Sequence, residues 1–242
     1  MYFSLVSRLA PLEYRRGAVW LRPPVAGVVD LEMLPGTVAL ICVIIGSTTF
    51  DGASNGSLWR NVEPHLQSFF SSLGLGQTAA GEAAFTVGLL VCLAVVACFY
   101  RLGIEGMRSV SHRISARDLA SRFAHTLAPI AFAYILAHYF SLLVVQGQAM
   151  GYLVSDPLGH GSNLFGTAHF QIDAHLFSNS AIWYVQVVAL VGGHVAGLVL
   201  AHDRALVTFP RVREAVRSQY WMLTVMVGFT CLGLWLLSAV ST

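Results

Sequence analysis

The sequence predicts an all-helical, polytopic membrane protein. It has about five transmembrane helices, the N-terminus inside, the C-terminus outside, and a long outer loop between spans three and four. Three observations carry this reading. Only 11% of the 242 residues are charged while 56% are hydrophobic, whereas a soluble domain carries about a quarter charged residues. Apolar runs close to the roughly 20 residues needed to cross about 30 Å of hydrocarbon recur five times. Finally, all the basic residues are arginines, and thirteen of the fourteen fall in alternate connections, the signature of cytoplasmic loops.

Fourteen arginines and twelve acidic residues cannot clothe a globule of this size without leaving large apolar patches bare, which excludes an ordinary soluble enzyme. Disorder needs low hydrophobicity and high net charge, and is excluded too. A net charge of +2 with no dense basic stretch leaves no footprint for nucleic acid. The expected partners are the lipid bilayer and either further copies of this chain or other membrane subunits. The expected location is a bacterial cytoplasmic membrane.

Taken in order, residues 1–32 read as a cytoplasmic or interfacial segment carrying Arg8, Arg15, Arg16 and Arg22. Residues 1–10 are apolar but too short to span. They read as an interfacial helix with Tyr2, Phe3, Leu5 and Val6 toward lipid and Arg8 toward phosphate, or as the remnant of a further span. The first span, 33–50, is purely apolar only over 37–46. Ser47, Thr48 and Thr49 are tolerated at its end because their hydroxyls bond back to the helix. Residues 57–75 place Leu58, Trp59, Val62, Leu66, Phe69 and Phe70 at near-helical spacing, predicting an amphipathic helix on the outer surface. The second span is 82–100, followed by five arginines from Arg101 to Arg122.

The third span, 123–146, contains Pro129, which takes the usual donor from the carbonyl of His125 and predicts a kink. The loop 147–180 has no basic residue. At about 34 residues it is long enough to be structured, dipping into the bundle mouth if protein or water covers its backbone. Spans 181–201 and 220–240 follow, separated by Arg204, Arg211, Arg213 and Arg217. Cys42, Cys92, Cys98 and Cys231 all lie in apolar runs without CxxC spacing and read as inert packing groups.

Small residues recur every four positions along the fourth span, at Ala189, Gly193, Gly197 and Ala201, and along the third at Ala133, Ala137 and Ser141. Such ridges let membrane helices approach closely, so these two spans are expected to pack together.

Polar groups at membrane depth are costly and mark function. His125, Tyr134 and His138 on the third span and Gln186, His194 and His202 on the fourth are candidates for an intramembrane polar path or for haem ligands. At about 1.5 Å per residue His138 lies about 12 Å below the outer end and His194 about 20 Å, while His125 and His202 are level near 31 Å. Two haem ligands need similar depth, which His138 and His194 meet poorly.

A second candidate is the loop, where His160, His169, Asp173 and His175 offer imidazole and carboxylate to a divalent transition metal with no basic residue to oppose it. Asp156 before Pro157 reads as a turn residue. The runs Gly46–Gly52 and Ser155–Gly159 gather glycine and polar residues where helices end outside. No nucleophile elbow, phosphate loop, dinucleotide fingerprint or paired carboxylates on one span occur, so no catalytic residues are assigned. Transport or metal handling, as a permease-like protein or accessory subunit, is the leading function. The alternatives are a non-catalytic membrane anchor or assembly subunit, and an electron-transfer subunit holding haem b or quinone.

Overall fold

A computed structural model describes residues 2–23, 26–31, 34–111 and 113–241. Three-quarters of the chain is helical. Short helix α1 (Tyr2–Leu9) leads into a hairpin of β1 (Leu12–Arg15) and β2 (Ala18–Leu21) and a 3₁₀ turn over Ala26–Asp30. Then come α2 (Thr37–Ala53), α3 (Ser57–Ser72), α4 (Gln77–Val110), α5 (Ala116–Phe123), α6 (Ala128–Val145), α7 (Met150–Leu153), α8 (Asn179–Thr208) and α9 (Val212–Ser241). Four stretches are long and apolar enough to cross a membrane: α4, the continuous run Ala116–Leu153, α8 and α9. Helices α2 and α3 meet at 93° and together make a fifth candidate. With 17 residues, α2 is about 25 Å long, slightly short of the hydrocarbon core. This architecture is consistent with a multi-pass membrane protein.

The helices outrun the apolar runs that predict them. Spans expected at 82–100, 181–201 and 220–240 are helical over Gln77–Val110, Asn179–Thr208 and Val212–Ser241. Backbone hydrogen bonding continues into the polar interface, where hydropathy no longer reports it. The 33–50 span is helical over Thr37–Ala53; its expected start at Met33 lies outside the described residues. As expected, Ser47 and Thr48 donate to the Ile44 carbonyl and Thr49 to that of Ile45. Pro129 leaves the His125 carbonyl satisfied. A 3₁₀ turn over Ala124–Leu127 precedes α6 and the amide of Ala128 donates to that carbonyl, so proline sits in the first turn, where its missing N–H costs little.

Close approaches at glycines show how the helices run. A Cβ on Gly46 of α2 would meet Leu93 of α4 and one on Gly88 of α4 would meet Phe50 of α2, so these two are antiparallel, as are α4 and α9, where Gly106 faces Trp221 and Gly103 faces Met222 and Val225. Along α8, Gly193 faces Ala133 and Pro129 of α6, and Gly197 faces Thr126 and Ile130. Rising numbers on one helix meet falling numbers on the other, so α6 and α8 are antiparallel. At the Gly193 contact an added Cβ would lie 2.2 Å from the Ala133 Cβ. Ala201 is fully buried and Ala189 is half-buried. Lipid tails are as apolar as leucine, so this close fit, rather than apolar burial, holds the pair.

Two features of the N-terminal region differ from expectation. Leu5 does not face lipid; it is buried and belongs to the core with Val28, while the Tyr2 side chain lies outside what is described. Residues 12–21 are a hairpin, closed by Arg16 (φ 53°) and Gly17 (φ 81°), the paired positive φ values of a type I′ turn. Arg22 fastens it. Its guanidinium donates to the carbonyls of Ser7, Arg8 and Ala10, ending α1, and lies 3.7 Å from Glu13.

Candidate functional site

The gathering of polar side chains that links separate helices lies where α2 ends beside α6. Asp51 occupies the last turn of α2, and the Nε2–H of His138 donates to its carboxylate at 2.7 Å. The Tyr139 hydroxyl reaches the same oxygen at 3.4 Å. A carboxylate in the last turn opposes the helix dipole, so Asp51 needs such a partner. Gly52 lies beside the pair, where a Cβ would make ordinary contact with the His138 ring at 3.4 Å.

Below the pair is a cavity of about 90 Å³ among α2, α6, α8 and α9, lined by Thr48, Thr49, Tyr134, His138, Leu190 and Gly233. The Tyr134 hydroxyl makes no hydrogen bond among the described residues, and Gly233 leaves it space, since a Cβ there would lie 2.5 Å from it. On the other side of Asp51 a groove is bounded by Ser47, Thr48, Ser54, Phe85 and Tyr139. Asp51 lines the groove, its partner His138 lines the cavity, and the Asp51 side chain is 55% exposed.

The other intramembrane candidates do not form one path. Gln186 donates to the Ala137 carbonyl at 2.8 Å. His194 is buried, with Nδ1 donating to the Leu190 carbonyl at 2.8 Å and its ring 6.0 Å from those of Tyr134 and Phe229. Its Nε2 is buried without a partner. His125 is also buried with Nδ1 unpartnered, whereas His202 is exposed in a groove with Gln219 of α9. A repeat of eight drifts around a 3.6-residue helix, so Gln186, His194 and His202 meet different neighbours.

The contacts also bear on haem. The α6–α8 register sets His138 level with residues near Gln186, seven or eight positions from His194. Between them Gly193 packs directly on Ala133 and Pro129. His125 and His202 are closer to level, but one faces the bundle interior and the other faces outward.

The loop is ordered by different chemistry from that expected. Helical structure continues past Val145 through a 3₁₀ turn to Leu153. The Ser155 hydroxyl is fully buried; it donates to Asn163 Oδ1 and accepts from the amides of Phe165 and Thr167. Asp156 accepts from the amides of His160 and Gly161, as its place before Pro157 predicts. Asp173 and Gln148 exchange two bonds, amide to Oε1 and Nε2 to carbonyl, and the Asp173 carboxylate accepts from the His175 amide. His160, His169 and His175 are exposed. They do not converge with Asp173: among the described residues no group of three or more His, Cys, Asp or Glu side chains could hold a metal ion. The carboxylates that suggested ligands serve the backbone.

Sequence reasoning missed the partnership of Asp51 with His138. Its one trace is the acidic residue at the C-terminal end of an apolar run, in the Gly46–Gly52 stretch. No family model, curated protein or solved structure matches this chain.

Proposed function

We propose that this chain carries a proton or small cation across a bacterial cytoplasmic membrane, as a homo-oligomer or with other membrane subunits. The reading rests on Asp51 and His138 joined at 2.7 Å, with His138 also lining a cavity between α2, α6, α8 and α9. Ionisable groups in such a setting are the usual markers of ion pathways. The face that bears them attracts cations, since the loop 147–180 contains Asp156 and Asp173 and no basic residue. One carboxylate and one imidazole are too few for a tetrahedral transition-metal site, which favours a proton or a monovalent ion as cargo. Five spans are few for a complete secondary transporter, hence the expected oligomer or partner.

Proteoliposomes test this. With an imposed gradient, wild-type protein should dissipate it, and Asp51→Asn and His138→Gln should each reduce the flux by about tenfold or more. Wild-type flux in both variants would overturn the reading. A membrane anchor or assembly subunit is the second reading, favoured by Leu164, Phe165 and Leu176 of the loop, exposed at 55–68%. It predicts no flux and a partner protein bound through those side chains.

A further inference from the structure

We propose that the N-terminal hairpin is a membrane-interface foot, seated on anionic lipid headgroups at the arginine-rich end of the bundle. The pairing Leu12↔Leu21, Tyr14↔Val19 and the two-residue alternation of strands place these four side chains on one face. All are apolar or aromatic, and all are 60–80% exposed. A two-stranded hairpin with a bare apolar face is marginal in water, so something covers it.

Position and charge identify the cover as lipid. The hairpin follows α1, whose Leu5 is buried in the core, and α1 contacts α6. The 3₁₀ turn after the hairpin contacts the one before α6, and α6 starts beside Arg122. The hairpin is therefore tied to the end of the bundle where the arginines collect, at headgroup depth. Tyrosine is among the residues enriched at that depth, and Tyr14 on the apolar face is 76% exposed, while Trp20 lies on the other face, opposite Glu13.

The turn supplies the charge. Arg15 and Arg16 are exposed at the tip and make no ion pair among the described residues, while Glu13 is engaged by Arg22. Arg16 is the one non-glycine residue with positive φ among those described. Asn, Asp or Gly would take that conformation with less strain. An arginine there places its charge at the outermost point of the hairpin, suited to lipid phosphate. A second copy of this chain would bring the same positive tips together, which disfavours self-pairing.

Limited trypsin digestion of the unmodified chain in nanodiscs reads the docking, because cleavage at Arg15 or Arg16 severs the N-terminal peptide, which is then released and counted once the sample is denatured. Two arginines near an anionic surface shift the docked ratio by about thirtyfold, so release should slow by about that factor in phosphatidylglycerol-containing discs relative to phosphatidylcholine discs. Arg15→Gln with Arg16→Lys leaves one cleavage site and should lose much of the lipid dependence. Equal release from both kinds of disc would overturn the proposal. So would protection in detergent micelles that grows with protein concentration, which would mean self-association. A nitroxide on Val19→Cys, with the native cysteines replaced by Ala, should be oxygen-accessible and shielded from aqueous nickel chelate; the reverse contradicts it.

Discussion

Asp51 and His138 lie close together yet partly in contact with solvent, and exposed ion pairs contribute about 1 kcal/mol or less to stability. Their substitution should leave the fold intact, so a lost flux would report function. Gly193 has the opposite character. Replacing it with Ala puts a methyl 2.2 Å from the Ala133 Cβ and should cost about 1–3 kcal/mol as α6 and α8 separate. Gly192→Ala, with nothing within 4 Å, should stay within about 0.5 kcal/mol of wild type. Thermal unfolding in one detergent compares the two directly. The spacing of Ala189, Gly193, Gly197 and Ala201 was legible because a four-residue repeat identifies one helix face without knowing the neighbour. The Asp51–His138 bond was not, because it depends on how α2 is rotated against α6, and that is set by packing.

Among elements, the loop between α7 and α8 has one buried hydroxyl at its start that bonds three partners. Ser155→Ala would strip the acceptor from the amides of Phe165 and Thr167 and one of the two donors from Asn163 Oδ1, which keeps the Ala168 amide. An unsatisfied buried group costs about 1–3 kcal/mol, enough to open a local unit while the bundle stays folded. Hydrogen exchange over residues 156–177 should accelerate in this variant, with α6 and α8 unchanged. The expected amphipathic helix after α2 appears as α3, held by Trp59 stacked edge-on against Phe50 and Phe85. Its periodicity was visible because one face is apolar. The hairpin escaped notice because strands of four residues give too short an alternation to stand out, and its turn carries Arg16 where the usual signal is Asn or Asp. The loop's acidic residues suggested ligands because composition does not reveal whether a carboxylate will cap backbone amides.

At the scale of the molecule, bilayer thickness made the spans readable: an apolar run either reaches across hydrocarbon or does not. Helix ends were less readable because hydropathy fades where hydrogen bonding persists. The exception is α2, whose 17 residues fall slightly short of the hydrocarbon core and which counts as a candidate span only together with α3, bent from it by 93°. The proposed attraction of cations to the outer face and the docking of the hairpin both depend on one orientation, with the arginine-rich end facing the cytoplasm. Labelling single cysteines with a membrane-impermeant thiol reagent on intact cells measures it. The four native cysteines lie within α2, α4 and α9 and should give little background. A cysteine at Thr167 should label from outside, and one at Arg213 only after the membrane is opened; labelling of Arg213→Cys but not Thr167→Cys on intact cells, or of both equally, would contradict the account.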